Sequence, residues 1–194
     1  MHQHFKIHKP YGYLSQFVNN QSQRKNKKLL GSLGEFPEGI MSIGRLDEKS
    51  EGLLLLTTDG KFSDHVNSSK IEKEYYVQVD GIISEEKIAQ LRKGLKIKIR
   101  DQYYHTKPAL VERLEPEKIL EKPATSAREE RHGPTSWISV CLREGKYRQI
   151  RKMTAAVGHP TIRLVRVRIG GISLADLEVG TFELISVNEI STLT

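Results

Sequence analysis

The chain has 194 residues, a formal net charge of +7 and a single cysteine, Cys141. One cysteine excludes an intramolecular disulfide, and the longest apolar run, the leucines at 53–56, is far shorter than the roughly 20 residues of a membrane-spanning helix. The N-terminus lacks the apolar core of a signal peptide. We therefore expect a cytoplasmic protein, and its clustered basic residues favour a nucleic-acid partner over a merely solvated surface.

The first seventy residues predict two strands around a charged corner. Residues 4–10 have the pattern of a strand that ends at a proline, 18–28 predict a mobile basic loop, and "LLGSLG" predicts one helical turn. The runs "IMSIG" and "GLLLLTT" are strand-like, and four consecutive leucines are typical of a strand covered on both faces. Asp59 then predicts the cap of a short helix.

From residue 73 the pattern predicts alternating strands and helices. Ser84 is a predicted N-cap and Gly94 a predicted helix stop. We predict helices over 84–94 and 146–157, an exposed loop over 121–134, and strands over 73–81, 95–100, 106–115, 135–144, 161–170 and 180–187. This order predicts two split β-α-β units over an antiparallel sheet. We expect an α+β fold with one lobe over about 1–67, completed by a C-terminal strand, and a second lobe over about 68–184.

Motifs for cofactors and metals are missing from the sequence. Gly31 and Gly34 are not followed by Gly-Lys-Ser/Thr, and no G-x-G-x-x-G follows a predicted strand. The histidines are scattered and there is no cysteine pair. We expect neither a cofactor nor a metal.

The charged corner before the leucines is open to two interpretations. Asp47 is of a type that commonly sits in turns or caps helices. Three neighbours favour a reactive carboxylate instead: Arg45 concentrates charge, Gly44 and Gly52 permit close approach of a ligand or backbone, and Ser50 offers a hydroxyl that can hold the loop.

This corner carries a resemblance to a known family. The segment "GRLDEKSEGLLLLTTDG" (44–60) resembles the catalytic motif of the RsuA/RluE-type pseudouridine synthases. Four further segments resemble that family's other motifs, in the family's order: "HKPYGYLSQF" (8–17), "KEYYV" (73–77), "EGKYRQIRKMTAAVGHP" (144–160) and "LVRVRIG" (164–170). Because the sequence opens with the first of these motifs, we expect no S4-type RNA-binding domain, and the chain most resembles the RluE branch, whose members modify 23S ribosomal RNA.

The resemblance implies a reaction and three catalytic residues. A uridine in RNA loses its N1–C1′ bond, the base turns, and C5 bonds to C1′, so no redox cofactor is needed. Asp47 is the implied catalytic carboxylate, acting at C1′ or on the base. Arg151 is the implied cation that keeps a buried carboxylate ionised, and Tyr75 the implied ring that stacks on the extruded base. The resemblance places this site in a cleft between two lobes.

Further residues are candidates for binding RNA or lining the site. The candidates for RNA contact are Arg45, Lys73, Lys146, Arg148, Gln149, Lys152, Arg163 and Arg166. Ile150 and Leu164 wall the pocket or belong to the core. We expect a monomer. Three alternatives stay open: a sibling enzyme that modifies small-subunit ribosomal RNA or tRNA, a non-catalytic ribosomal-RNA-binding assembly factor on this fold, and a glycoside hydrolase, which would need a second carboxylate.

Overall fold

A computed structural model of the chain describes residues 2–18, 26–67, 71–114 and 133–193. Its strands are β1 (His4–Lys9), β2 (Tyr13–Leu14), β3 (Lys28–Leu29), β4 (Met41–Ile43), β5 (Glu51–Thr57), β6 (Lys73–Asp80), β7 (Lys96–Ile99), β8 (Gln102–His105), β9 (Leu110–Arg113), β10 (Thr135–Leu142), β11 (Thr161–Ile169), β12 (Ile172–Ser173) and β13 (Phe182–Leu184). Its helices are a 3-10 turn at Leu30–Leu33, α1 (Gly60–Asn67), α2 (Glu85–Lys93), α3 (Gln149–Ala156) and α4 (Val187–Ser191). The predicted loops at 18–28 and 121–134 lie largely outside the described residues.

The chain divides into two compact units. Unit 1 comprises Met1–Ile71 and Val165–Thr194, and unit 2 comprises Glu72–Leu164. The expected second lobe ran to residue 184, whereas unit 2 ends at Leu164. The difference has a physical cause: the later part of β11 pairs in parallel with β5, through Val165 opposite Glu51 and Arg166 opposite Gly52. Residues 165–169 of β11 therefore belong to unit 1.

Unit 1 is built around β5. Its four leucines, Leu53–Leu56, have no exposed surface. β1 runs antiparallel along the whole strand, from His4 opposite Thr57 to Lys9 opposite Gly52. β4 pairs antiparallel with its C-terminal part, on the edge where β11 pairs with its first residues. Because side chains alternate along a strand, the zero exposure of these four leucines confirms a strand that is covered on both faces.

Unit 2 contains two interleaved β-α-β units. Its strand order is β11, β6, β10, β9, and β10 is antiparallel to both β6 and β9. The segment β10-α3-β11 therefore encloses β6, and β6-α2-β9 encloses β10. Ile88 and Leu91 of α2 share one hydrophobic core with Met153 of α3 and with Val77 and Ile138 of the sheet. The predicted pair of split β-α-β units is confirmed, with a hairpin inserted before β9.

Three elements differ from the sequence prediction. The strand predicted at 95–100 pairs only with β8, which was not predicted, in a separate two-stranded sheet. α3 begins at Gln149 rather than 146, because Arg148 has a left-handed backbone with φ of 52°. The strand predicted at 180–187 ends at Leu184, and Ser186 and Glu189 then form a capping box that starts α4.

Candidate active site

Asp47 lies in unit 1, in the loop that connects β4 to β5. The loop closes with a tight turn in which the amide of Ser50 donates to the Asp47 carbonyl oxygen at 3.0 Å. Aspartate is favoured at the first position of such turns. The Asp47 side chain is half-buried, whereas Arg45 is exposed and Ser50 is buried. The interpretation of Asp47 as a turn residue therefore holds for its backbone, and the residue as a whole is only half-buried.

Ser15 fixes the backbone of this loop. Its hydroxyl donates to the Leu46 carbonyl oxygen at 2.9 Å and accepts from the Leu46 amide at 3.0 Å. Ser15 is 4% exposed, and Gly12 on the same segment donates its amide to the Glu48 carbonyl oxygen at 2.8 Å. The loop is thus held on both sides of Asp47. In the sequence, Ser15 is one residue of the segment 8–17 that resembles the family's first motif.

Lys9 is a buried cation beside this loop that sequence analysis missed. It has no exposed surface, and its ammonium donates to the carbonyl oxygens of Pro10 at 2.9 Å and Tyr13 at 2.7 Å. Burial lowers the pKa of Lys9 to about 7, with Arg166 also lowering it and the carboxylates of Glu51, Asp47 and Glu48 opposing the shift. The feature of the sequence that could have drawn attention to Lys9 is its position directly before Pro10.

Two glycines, Gly44 and Gly52, permit the backbone conformation and close packing on either side of the Asp47 loop. Gly52 has φ of 103°, and a side chain there would overlap the backbone of Arg166 on the neighbouring strand. Gly44 has φ of 67°, and a Cβ atom there would lie 2.8 Å from the Asn67 side-chain oxygen. For Gly52, the expected close approach of another backbone is confirmed.

Tyr75 and Lys73 lie on β6 of unit 2. Tyr75 stands opposite Val140 of β10, and Lys73 stands opposite Leu142. Both side chains are half-buried, and the Tyr75 ring packs against the hydrophobic core of unit 2. Because residues alternate along a strand, Tyr75 shares its face with the buried Val77 and Val79. The ring is therefore held firmly by the core while part of it stays exposed.

Arg151 and the basic residues around it lie at the start of α3. Arg151 is half-buried and donates to the carbonyl oxygen of Thr161 at 3.4 Å. Lys152 is half-buried and donates to the carbonyl oxygen of Lys98 at 2.5 Å. Lys146 is exposed, with its ammonium 4.9 Å from the ring centre of Tyr104. Arg148 is half-buried in the left-handed turn before the helix.

Gln149 braces the protein internally. It is 4% exposed, its amide donates to Glu144 at 2.6 Å, and its oxygen accepts from the Lys146 amide at 3.0 Å. Glu144 also accepts from the Tyr104 hydroxyl at 2.5 Å and the Lys107 amide at 2.9 Å. Burial alone would raise the pKa of Glu144, but these hydrogen bonds lower it on balance. Gln149 is therefore engaged in hydrogen bonds inside unit 2, and its contact with RNA stays a prediction.

Four other candidates are buried. Arg163 is 7% exposed with its guanidinium 5.8 Å from the Trp137 ring centre, and Arg166 is 3% exposed and donates to the Leu53 carbonyl oxygen at 2.7 Å. Neither guanidinium lies on an open surface as a phosphate contact requires. Ile150 and Leu164 belong to the core of unit 2. For this pair the structure favours the core interpretation over the pocket wall.

Among the described residues, no group of three or more His, Cys, Asp or Glu side chains is arranged to hold a metal ion. No helix in the same part of the chain is long and apolar enough to cross a membrane.

The sequence matches one family profile and several named relatives. The profile described as RNA pseudouridylate synthase matches residues 3–156. The "Ribosomal large subunit pseudouridine synthase E" of Xanthomonas campestris pv. campestris is 40% identical over 182 residues, covering 92% of each chain. The protein of the same name from Vibrio parahaemolyticus is 37% identical over 181 residues, covering 91% of this chain and 71% of its own length.

The fold also resembles a solved structure. A chain described as "Crystal structure of pseudouridylate synthase" superposes with a TM-score of 0.78 and 29% sequence identity. The match covers all of the present chain and 74% of the other. Sequence and fold thus point to the same family.

Proposed function

The chain belongs to the RNA pseudouridylate synthase family, and we propose that it isomerises a uridine of 23S ribosomal RNA to pseudouridine. The observation that carries this proposal is the 40% identity, over 92% of both chains, with a relative named for the ribosomal large subunit. As part of the same proposal, the protein acts as a monomer in the cytoplasm, where ribosomal RNA is available for modification.

Asp47 is the proposed catalytic carboxylate. Its loop is held by Ser15 and Gly12 and closed by the turn to Ser50, so the position of the carboxylate is fixed before RNA binds. Such fixed positioning lowers the cost of reaching the reactive geometry. A carboxylate can attack an electron-poor carbon or stabilise an oxocarbenium-like one, and both roles suit cleavage of the N1–C1′ bond.

Arg151 and Tyr75 are proposed to assist by their resemblance to the family motifs. Arg151 supplies a guanidinium that favours an ionised carboxylate, and Tyr75 supplies a ring for the uracil that leaves the RNA stack. Packing of the Tyr75 ring on the core of unit 2 supports the stacking role, because a rigid ring loses little freedom when a base stacks on it.

Release of tritium from RNA that carries 5-tritiated uridine tests the reaction. Formation of the C5–C1′ bond displaces the C5 hydrogen, so wild-type protein should release tritium from 23S ribosomal RNA. Asp47→Asn should release none above background. Arg151→Ala should keep the fold, checked by circular dichroism, and lower turnover about a hundredfold or more.

Glu48→Gln is the matched control for Asp47→Asn. Glu48 is the next residue of the same turn, is half-buried, and pairs with Lys27 at 2.7 Å. This variant should keep near-normal turnover. Full activity of Asp47→Asn would refute the assignment of Asp47 as the catalytic carboxylate. If the wild type released no tritium from any RNA, the proposal that the protein is a pseudouridine synthase would be refuted.

The proposed substrate is tested separately in cells. Pseudouridine mapping of cells with and without the protein should show one signal that disappears from 23S ribosomal RNA. Loss of a signal from small-subunit ribosomal RNA or tRNA instead would overturn the choice of substrate while leaving the reaction in place.

A further inference from the structure

The hairpin β7–β8 of unit 2 has two chemically different faces. Ile97 is 2% exposed, and Ile99 and Tyr104 pack against the hydrophobic core. On the opposite face Lys98 pairs with Tyr103, and Lys96 pairs with His105. The hairpin is therefore fixed by its inner face and presents only basic or aromatic side chains at these four outer positions.

The outer side chains are organised around exposed rings. Tyr103 is 67% exposed, and the Lys96 ammonium lies 4.2 Å from its ring centre. Tyr147, in the turn before α3, is 62% exposed and has the Lys152 ammonium 5.4 Å from its ring centre. The bond from Lys152 to the Lys98 carbonyl oxygen joins the two groups. We call Lys96, Lys98, Tyr103, Tyr147 and Lys152 the tyrosine–lysine face.

We propose that the tyrosine–lysine face binds unpaired nucleotides of the substrate RNA that flank the target uridine. This inference rests on the proposed function. Lysines neutralise phosphates, and exposed tyrosine rings stack on bases that are free of a duplex. Cations beside the rings suit both parts of a nucleotide, since the ammonium attracts the phosphate while the ring accepts the base.

Charge complementarity distinguishes RNA from an apolar protein partner. Between Lys96 and His105 the sequence holds two lysines and Arg100 but a single acidic residue, Asp101, in the turn. The nearby Glu144 is 8% exposed, and its carboxylate is occupied by three hydrogen bonds. The face thus carries a net positive charge. An apolar partner would remove these cations from water without pairing them, which costs free energy.

Two variants separate the phosphate and base components. Lys96→Ala/Lys98→Ala removes two cations, and Tyr103→Ala removes one ring. Each is combined with Asp47→Asn for filter binding to unmodified 23S ribosomal RNA transcript across a salt series. The double lysine variant should bind more weakly and reduce the slope of log affinity against log salt by about 1.4. Tyr103→Ala should weaken binding about tenfold with an unchanged salt slope.

Conservative and distant controls make the result specific. Tyr103→Phe keeps the ring and should bind like the parent, and Lys61→Ala removes an exposed lysine of α1 in unit 1 and should have no effect. In the active background, both test variants should raise KM for RNA and leave kcat unchanged. A fall in kcat without a rise in KM would overturn the inference, because it would indicate a disturbed fold.

The inference and the proposed function fail in different ways. If the wild type releases tritium while the lysine and tyrosine variants bind and react normally, the face does not bind RNA and the enzyme assignment stands. The same outcome is expected if the face binds a ribosomal protein instead of RNA. If the wild type releases no tritium, the proposed function fails, and filter binding still decides whether the face binds RNA.

Discussion

At the scale of single residues, the loop that carries Asp47 depends on one hydroxyl. Ser15 satisfies both the amide and the carbonyl of Leu46, which is itself 7% exposed. Buried backbone groups that lose their partners cost about 1–3 kcal/mol. The residue before the carboxylate is therefore held by a contact from a segment 31 positions away in the chain.

We expect Ser15→Ala to lower kcat about tenfold while KM for RNA stays within about twofold. The physical reason is that a loosened loop presents the carboxylate less often in its reactive position. Steady-state tritium release measures both constants. Ser15→Thr keeps the hydroxyl and should recover most of kcat.

Ser136→Ala is the matched control for this prediction. Ser136 is 9% exposed and makes the same pair of bonds in unit 2, accepting from the Ile83 amide at 3.0 Å and donating to the Gly81 carbonyl oxygen at 2.8 Å. Its replacement should lower stability comparably without lowering kcat. Equal losses of kcat in the two variants would show that Ser15 acts only through stability.

Lys9 gives a second prediction at this scale, in the dependence of stability on pH. Burial lowers its folded pKa to about 7, from 10.5. Between these values the unfolded chain binds more protons, so the free energy of unfolding contributed by Lys9 rises with pH. Relative to Lys9→Met, the wild type should gain stability on the order of 3 kcal/mol between pH 7 and 10.

Urea unfolding of both proteins across that range measures the difference. Comparison with Lys9→Met cancels the titration of the other groups, although the variant also leaves the carbonyl oxygens of Pro10 and Tyr13 without this donor. That loss is independent of pH. A difference that stays flat from pH 7 to 10 would contradict a lowered pKa.

At the scale of elements, Glu144 joins the hairpin to α3. It accepts from Tyr104 of β8 and from Gln149, the first residue of the helix. The bond to Glu144 is also the largest cause of the raised pKa of Tyr104, followed by burial. The orientation of the tyrosine–lysine face thus depends on a buried carboxylate.

We expect Glu144→Gln to lower the free energy of unfolding by about 1–3 kcal/mol at pH 7. Because hydrogen bonds lower the folded pKa of Glu144, its contribution is present above the ordinary value near 4.5 and is lost as the pH falls through the folded value. The stability difference between wild type and variant should therefore shrink below about pH 4.5. Chemical unfolding at pH 7 and pH 3.5 tests this, and an equal difference at both would contradict it.

At the scale of the whole molecule, the net charge of +7 predicts binding that weakens with salt. Burial of Arg163, Arg166 and Gln149 reduces the candidates for phosphate contact. The five that are exposed or half-buried are Arg45, Lys73, Lys146, Arg148 and Lys152. If all five contact phosphates, they contribute about −3.5 to the slope of log affinity against log salt, in addition to the part proposed for Lys96 and Lys98.

Binding of Asp47→Asn protein to 23S ribosomal RNA between low and physiological salt measures that slope. Lys61→Ala serves as the reference for loss of a single surface charge. A slope near zero would show that the basic residues are merely solvated.

Sequence alone determined the family, the order of most elements and the identity of the candidate carboxylate. These features are local: the alternation in β6 and β10, the caps of α2 and the run before the leucines are each carried by a few neighbouring residues. The short strand β8, which lacks such a pattern, was missed. The helix α4 was also missed, although the serine and glutamate of its capping box were a usable signal.

Only the tertiary structure decided which polar residues are available for function. Arg163 and Arg166 of β11 were candidates for RNA contact by sequence, yet both are buried: the Arg163 guanidinium lies 5.8 Å from the Trp137 ring centre, and Arg166 donates to the Leu53 carbonyl oxygen. Ser15 bonds to Leu46, and Glu144 bonds to Tyr104, across long separations in the sequence. Lys9 is buried because other elements pack over it. Burial and hydrogen bonding depend on which other parts of the chain pack nearby, and a local sequence pattern does not contain that information.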